Sequence, residues 1–269
     1  MPDVTRIPKS YLFVPGNRPD RFAKAAASEA DALILDLEDA VGPDDKDAAR
    51  TAVRHWLESG GTALVRVNGV DTPWFADDVA MLAEVQIAGV MVPKSDAPSL
   101  SQAAKALPGR GLVALVETVA GIAEVRSAAR TAGVRRLAFG NLDFGTDARV
   151  PPGSPVLDAA RVELVLASRL ADLPPPVDGV TMALKDEMEI AADVAHARSC
   201  GFAAKLCIHP AQLAIVNRGF TPTEDERGWA SRVLSALAAA KGSVVQVDGK
   251  MVDAPLIERA EWILAHAAS

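Results

Sequence analysis

The sequence predicts a closed (β/α)8 barrel, an α/β fold, and three observations carry that prediction. Eight short apolar runs rich in branched aliphatic residues recur between Tyr11 and Ile208. The runs are continuous rather than alternating, as burial on both faces of a parallel sheet requires. The segments between them are mostly long enough for the helical crossovers that parallel strands need. An open doubly wound sheet is the alternative. No Gly-x-Gly-x-x-Gly follows the first run, where Val14-Pro15-Gly16-Asn17-Arg18-Pro19 stands instead. That weighs against dinucleotide binding.

Taken in order, the first strand covers residues 11–14 and leads into a helix over 19–30. Strand two covers 32–37, followed by a helix over 44–57. Strand three covers 63–67, with a helix over 75–88, and strands four and five follow at 89–92 and 112–116. Strand six covers 136–139. The helix after it, over 154–173, opens at a Pro-Gly-Ser-Pro turn with Asp158 in its first turn. Strands seven and eight are expected at 177–182 and 204–208. Residues 1–220 thus form the barrel domain, and residues 221–269 exceed what a closed barrel needs. This tail reads as a helix over 224–240, opened by a Thr223/Glu226 capping box, a strand-like stretch at 243–247 and a last helix over 255–267. It is expected to be a lid or oligomer arm.

Composition narrows the function. Of 269 residues, 49% are hydrophobic and 4% aromatic, with Tyr11 the single tyrosine. A sizeable aliphatic core is expected, and disorder, collagen-like repetition and a disulfide scaffold are excluded. Lys and Arg total 28 against 35 Asp and Glu, a formal charge of −7. That balance argues against nucleic acid or an anionic membrane as partner. Met1-Pro2-Asp3-Val4-Thr5-Arg6 has no apolar signal core, and the most apolar stretch, 112–125, carries Glu117 and Glu124. A cytoplasmic location is expected. Cys200 and Cys207 form no paired or metal-type pattern and are expected to be small buried apolar side chains. No His pair or Cys pair has zinc-ligand spacing.

In a barrel, chemistry gathers where strands end. Here the apolar runs stop at Pro15-Gly16-Asn17-Arg18, Asp36-Leu37-Glu38-Asp39, Arg66 to Asn68, Pro93-Lys94, Glu117-Thr118, Gly140 to Gly145, and His209-Pro210. One pocket holding several carboxylates and an arginine is the expectation. Glu117 interrupts an apolar run; it is either a solvated carboxylate at a helix start or a functional one. Asp143 is either a turn cap or its companion. Two such carboxylates side by side need a cation or a shared proton, and two oxygen ligands with open positions suit Mg²⁺. Arg66 stands in an otherwise apolar strand and needs an anionic partner, Glu38 or Asp39, or a substrate oxyanion. Arg18, Arg21 and Lys24 are spaced by three and share one face of the first helix. That face is solvated or, with Phe13 just before it, grips an anionic ligand.

These residues resemble the citrate lyase β-subunit-like family, related to malyl-CoA and citramalyl-CoA lyases and to the HpcH/HpaI aldolases. The matching pieces include Tyr11-Leu12-Phe13-Val14-Pro15-Gly16-Asn17-Arg18, Leu35-Asp36-Leu37-Glu38-Asp39, Val65-Arg66-Val67-Asn68, Val116-Glu117-Thr118 and Gly140-Asn141-Leu142-Asp143. Lys205-Leu206-Cys207-Ile208-His209-Pro210 and Asp248-Gly249-Lys250-Met251-Val252-Asp253 complete the set, so the resemblance runs from about residue 6 to 265. It implies a barrel that holds Mg²⁺ on Glu117 and Asp143, with Glu38 and Asp39 around the ion and its waters. It implies that Arg66 and Glu117 meet the substrate and that Phe13, Arg18 and Lys24 hold the CoA moiety. It also implies that residues 221–269 pack on a neighbouring subunit in a homotrimer or hexamer, where Asp253 supplies a catalytic group. The implied activity is Mg²⁺-dependent carbon–carbon cleavage or formation of a 3-hydroxyacyl-CoA such as citramalyl-CoA, malyl-CoA or citryl-CoA. Three alternatives stand beside it: a pyruvate aldolase without CoA, a β subunit acting on a citryl-acyl-carrier protein, and a non-catalytic acyl-CoA-binding subunit.

Overall fold

The computed structural model describes residues 7–240 and 245–267. The segment 1–6 and Ser243, where the expected strand-like stretch begins, lie outside the described residues. By packing, one unit spans Pro8–Asn217 and the other is built mainly from residue 218 onward.

In the first unit eight strands close a barrel in sequence order. They are β1 (Ser10–Pro15), β2 (Ala32–Asp36), β3 (Leu64–Arg66), β4 (Gly89–Val92), β5 (Leu112–Val116), β6 (Val134–Phe139), β7 (Val177–Asp178) and β8 (Ala204–Cys207). Every neighbouring pair is parallel, and β8 returns to β1 with Tyr11 opposite Leu206. Between the strands run α1 (Phe22–Ala26), α2 (Lys46–Glu58), α3 (Phe75–Glu84), α4 (Ala97–Ala106), α5 (Val119–Ala123), α6 (Val125–Ala128), α7 (Asn141–Asp147), α8 (Pro155–Leu170) and α9 (Glu187–Cys200), with α10 (Leu213–Phe220) after β8. Helix starts follow the residues that favour them: Ser154 caps α8 ahead of Pro155, and Asp96 caps α4 in a reciprocal pair with Ser99.

Side chains alternate along each strand, so every second residue enters the barrel. Tyr11, Ile34, Leu64, Met91, Val113, Leu115, Ala138, Val177, Ala204 and Leu206 fill it as one buried cluster. Each fully buried Val, Leu, Ile or Met among them contributes about 1.5–3 kcal/mol by leaving water. At the end where the strands begin, Arg136 closes the barrel. It donates to the Tyr11 hydroxyl and to the carbonyls of Pro8 and Pro175, and its guanidinium lies over the Tyr11 ring. The inner rows finish at the other end in charge: Ile34 is followed by Asp36, Leu64 by Arg66, and Leu115 by Glu117.

Two expectations of local structure are corrected. The helix over 19–30 is instead a 3-10 turn, Pro19–Arg21, followed by the short α1. Pro19 disfavours helical geometry at the preceding residue, and Arg18 sits at φ −121°, ψ 60°. Arg18 and Lys24 therefore do not share one helix face. Strand seven is also shorter than 177–182. After Asp178 the chain leaves the ladder, and the Asn141 side chain takes its place, accepting from Val180 N and donating to Val180 O. Gly179 permits this, because a Cβ there would lie 2.0 Å from Asn141 Oδ1.

In the second unit, α11 (Glu224–Ala240) and α12 (Ala254–Ala267) pack with a hairpin of β9 (Val245–Val247) and β10 (Lys250–Val252). Ala230, Val233, Val247, Ala260 and Ile263 form its core. The Thr223/Glu226 capping box is present, each backbone N–H reaching the other side chain at 2.8 and 3.2 Å. Among the described residues, no helix is long and apolar enough to cross a membrane.

Candidate active site

The loop after β2 begins the site. Asp36 is its anchor: Oδ1 accepts from Glu38 N and Oδ2 from Ala40 N, which folds the turn around the carboxylate. Lys46 on α2 donates to the carbonyls of Leu37 and Glu38 at 2.7 Å each, fixing the same turn from behind. Both Asp36 oxygens also receive the Arg66 guanidinium, Nε at 2.7 Å and Nη2 at 2.6 Å. The two-pronged geometry locks the arginine in one orientation.

The expected partners of Arg66 were Glu38 or Asp39; the main partner is Asp36. Glu38 lies 3.0 Å and Asp39 3.9 Å from Arg66 Nη1, so they are secondary. Strand pairing explains the difference. Asp36 and Arg66 are directly opposite in the β2–β3 register and both point inward. Burial works against the Arg66 charge, yet Asp36, Glu38 and Glu117 hold its pKa above the ordinary value. The Phe13 ring lies beneath it at 4.8 Å.

Glu117, just beyond β5, is 1% exposed, which overturns the reading of a solvated carboxylate at a helix start. Its Oε1 accepts from Lys94 N at 2.8 Å. Lys94 reaches that pose with a left-handed backbone, φ +46°. Its ammonium meets Glu38 at 3.2 Å. Gly140 gives Glu117 its room, since a Cβ there would stand 2.4 Å from Glu117 Cβ and 2.5 Å from Oε2. Burial pushes the Glu117 carboxyl up to about 8; the Lys94 amide and Arg66 oppose this, while Glu38 and Asp143 add to it. Glu38 is likewise raised, first by burial, with Arg66 and Lys94 pulling the other way.

A cavity of about 230 Å³ opens here, lined by Phe13, Asp36, Asp39, Arg66, Glu117 and Asp143, among others. Glu38 adjoins it through Arg66 and Lys94. Asp143, in the first turn of α7, is exposed at the rim. Arg18 and Lys24 do not line this cavity. Arg18 is held in a two-pronged pair with Asp20, and Lys24 is exposed on α1. Asp253 belongs to the second unit, where it precedes α12 and accepts from Leu256 N at 3.3 Å. Asp36, Lys94 and Gly140 carry no role from sequence reasoning. A strand-period signal was present for Asp36, two residues after the inward Ile34; nothing in the sequence announces the backbone roles of Lys94 and Gly140.

The donor chemistry fits a small hard cation. Glu117 and Asp143 offer carboxylate oxygens on one cavity, and the buried Glu117 carries an excess of proton affinity that a divalent ion would relieve.

Charged groups on the carboxyl ends of barrel strands, gathered around one cavity, define the site of a barrel enzyme. The chain belongs to the HpcH/HpaI aldolase/citrate lyase family, whose sequence model matches residues 9–210. It is 38% identical to the citrate lyase subunit beta-like protein of Deinococcus radiodurans, over 97% of each chain. It is 36% identical to a (3S)-malyl-CoA thioesterase of Cereibacter sphaeroides, covering 96% of this chain and 94% of that protein. Among solved structures, Mycobacterium tuberculosis CitE in complex with magnesium, acetoacetate and coenzyme A matches with a TM-score of 0.86 and 31% identity. The match covers 99% of this chain and 100% of that one.

Proposed function

We propose that this protein is a Mg²⁺-dependent carbon–carbon lyase acting on a 3-hydroxyacyl-CoA thioester. The observation that carries the reading is Glu117, a sealed carboxylate with its pKa raised to about 8, sharing a cavity with Asp143 and with an arginine that never loses its charge. Relatives named for malyl-CoA chemistry, and a solved neighbour holding magnesium and coenzyme A, support it.

When bound, Mg²⁺ supplies a template and Lewis acid for the substrate's hydroxyl and adjacent carboxylate. Glu117 and Asp143 would hold it, with Glu38 and Asp39 orienting its waters. As the bond between the α and β carbons breaks, its electron pair passes to the thioester carbonyl, the β-hydroxyl gives up its proton to solvent, and the β carbon becomes the carbonyl of a keto acid. Arg66, fixed in place by Asp36, stabilises the enolate oxygen where that charge gathers. Asp253 delivers a proton to the enolate carbon in cleavage and removes one in condensation. It does so from a neighbouring subunit, with residues 221–269 as the arm of a homotrimer or hexamer. Phe13 from the cavity, with Arg18 and Lys24 outside it, grips the CoA moiety, and an acyl-carrier protein is the alternative carrier.

Incubating the purified protein and Mg²⁺ with malyl-, citramalyl- and citryl-CoA, then identifying both products, tests this. A keto acid together with an acyl-CoA is the expected outcome. Free hydroxy acid with free CoA would replace the lyase by a thioesterase, the reading that the Cereibacter relative favours. CoA binding without turnover would make the chain a binding subunit.

A further inference from the structure

On the outer wall of the barrel unit, one group of side chains has ligand geometry that the proposed reaction does not use. Asp158 on α8 and His196 and Cys200 on α9 bring a carboxylate oxygen, an imidazole nitrogen and a sulfur all within 4.8 Å of one another. His196 and Cys200 are four residues apart and so share a helix face. The sequence has no His pair and no Cys pair at ligand spacing; this pair is mixed, and its third member comes from the adjacent helix. Cys200, expected to be buried, is half-buried.

The contacts converge on a single atom. His196 Nε2 lies 2.8 Å from Asp158 Oδ1 and 3.8 Å from Cys200 Sγ. In a nucleophile–base–acid relay, the nucleophile and the carboxylate take opposite ring nitrogens. Here both face Nε2, so no relay is formed. A cation among the three ligand atoms satisfies all of them at once.

We propose that Asp158, His196 and Cys200 form a binding site for a divalent ion of the zinc type, with water as fourth ligand. Thiolate sulfur with imidazole nitrogen suits zinc, whereas magnesium prefers an all-oxygen shell. Partial exposure of all three side chains gives the ion an entry path and the water its place. Arg161 donates to Asp158 Oδ1 at 2.9 Å, the same oxygen that faces His196, and so holds the carboxylate toward the site. Buried Asp178 accepts from Arg161 at 2.9 Å and from Lys205 at 3.0 Å. On binding, the S–H bond of Cys200 is exchanged for a sulfur–metal bond and the proton passes to solvent. The ion ties α8 to α9, away from the barrel mouth.

The test uses full-length, tag-free protein saturated with Mg²⁺ and titrated with Co²⁺, then with Zn²⁺. One equivalent of Co²⁺ is expected to produce a thiolate-to-cobalt charge-transfer band in the near ultraviolet, which Zn²⁺ then removes while raising the thermal midpoint. Cys200→Ser abolishes the band, His196→Gln weakens it, and Glu117→Gln leaves it intact, with circular dichroism confirming that each variant is folded. Absence of the band in the wild type, or its persistence in Cys200→Ser, overturns the proposal.

Discussion

Replacing Glu117 by Gln should make the metal-free protein more stable while removing its response to Mg²⁺. Glu117 titrates near 4.5 in the unfolded chain and at about 8 in the folded one, chiefly because burial disfavours its charge. Between those pH values the folded protein keeps a proton that the unfolded chain has released, so stability falls as pH rises through the window and levels off above about 8. At about 1.4 kcal/mol for each tenfold change in proton affinity, the loss is on the order of 5 kcal/mol across the window, most of it already present at neutral pH. With the side chain 1% exposed, solvent screening takes little from that figure. Glutamine keeps the shape and cannot ionise, so its profile lacks this fall. Urea titrations in a chelator at about pH 5, 7 and 9 measure it. The wild type should lose stability with pH relative to Glu117→Gln, and saturating Mg²⁺ should cancel the difference by taking the proton's place. Parallel profiles for the two proteins in chelator would mean that burial does not hold a proton on Glu117.

Three further substitutions probe the surrounding parts. Asp36→Asn removes the two-pronged partner of a buried arginine, which should cost about 3 kcal/mol in urea denaturation and lower kcat more than it raises KM. Gly140→Ala drives a methyl into the Glu117 side chain, so Mg²⁺ affinity measured by calorimetry should fall while the far-ultraviolet circular dichroism stays unchanged. Asp253→Asn should retain thioester binding and lose about 10²-fold or more in rate, read from steady-state kinetics with a separate binding titration.

The barrel was legible because burial on both sheet faces writes itself as unbroken aliphatic runs, such as Leu112–Val116, which β5 reproduces residue for residue. Failures came where a single side chain overrode the pattern. The stretch 177–182 begins as a strand, but Asp178 and Gly179 interrupt its apolar run and Asn141, distant in sequence, replaces the ladder at Val180. Pro19 keeps Arg18 out of helical geometry, so the spacing of three that links it to Arg21 and Lys24 does not become a shared helix face. In the site, Glu117, Asp143 and Arg66 stood out as charges at the ends of apolar runs, and the cavity gathers all three. Asp36 shows a strand-period signal after Ile34, but its pairing with Arg66 is set by the β2–β3 register, which neither strand shows alone. The contributions of Lys94 and Gly140 are made by backbone geometry, an amide aimed at Glu117 and an absent Cβ, so residue type carried no signal for them. The His196 and Cys200 pair escaped for a similar reason, since its third member, Asp158, reaches it only through helix packing.

Whether Glu117 and Asp143 hold a catalytic Mg²⁺ is tested by a Mg²⁺ titration of 3-hydroxyacyl-CoA cleavage by the wild type, Glu117→Ala and Asp143→Ala. Saturable, Mg²⁺-dependent release of keto acid and acyl-CoA is expected from the wild type, and none from either variant at any Mg²⁺ concentration. Near-normal turnover in both variants would contradict it.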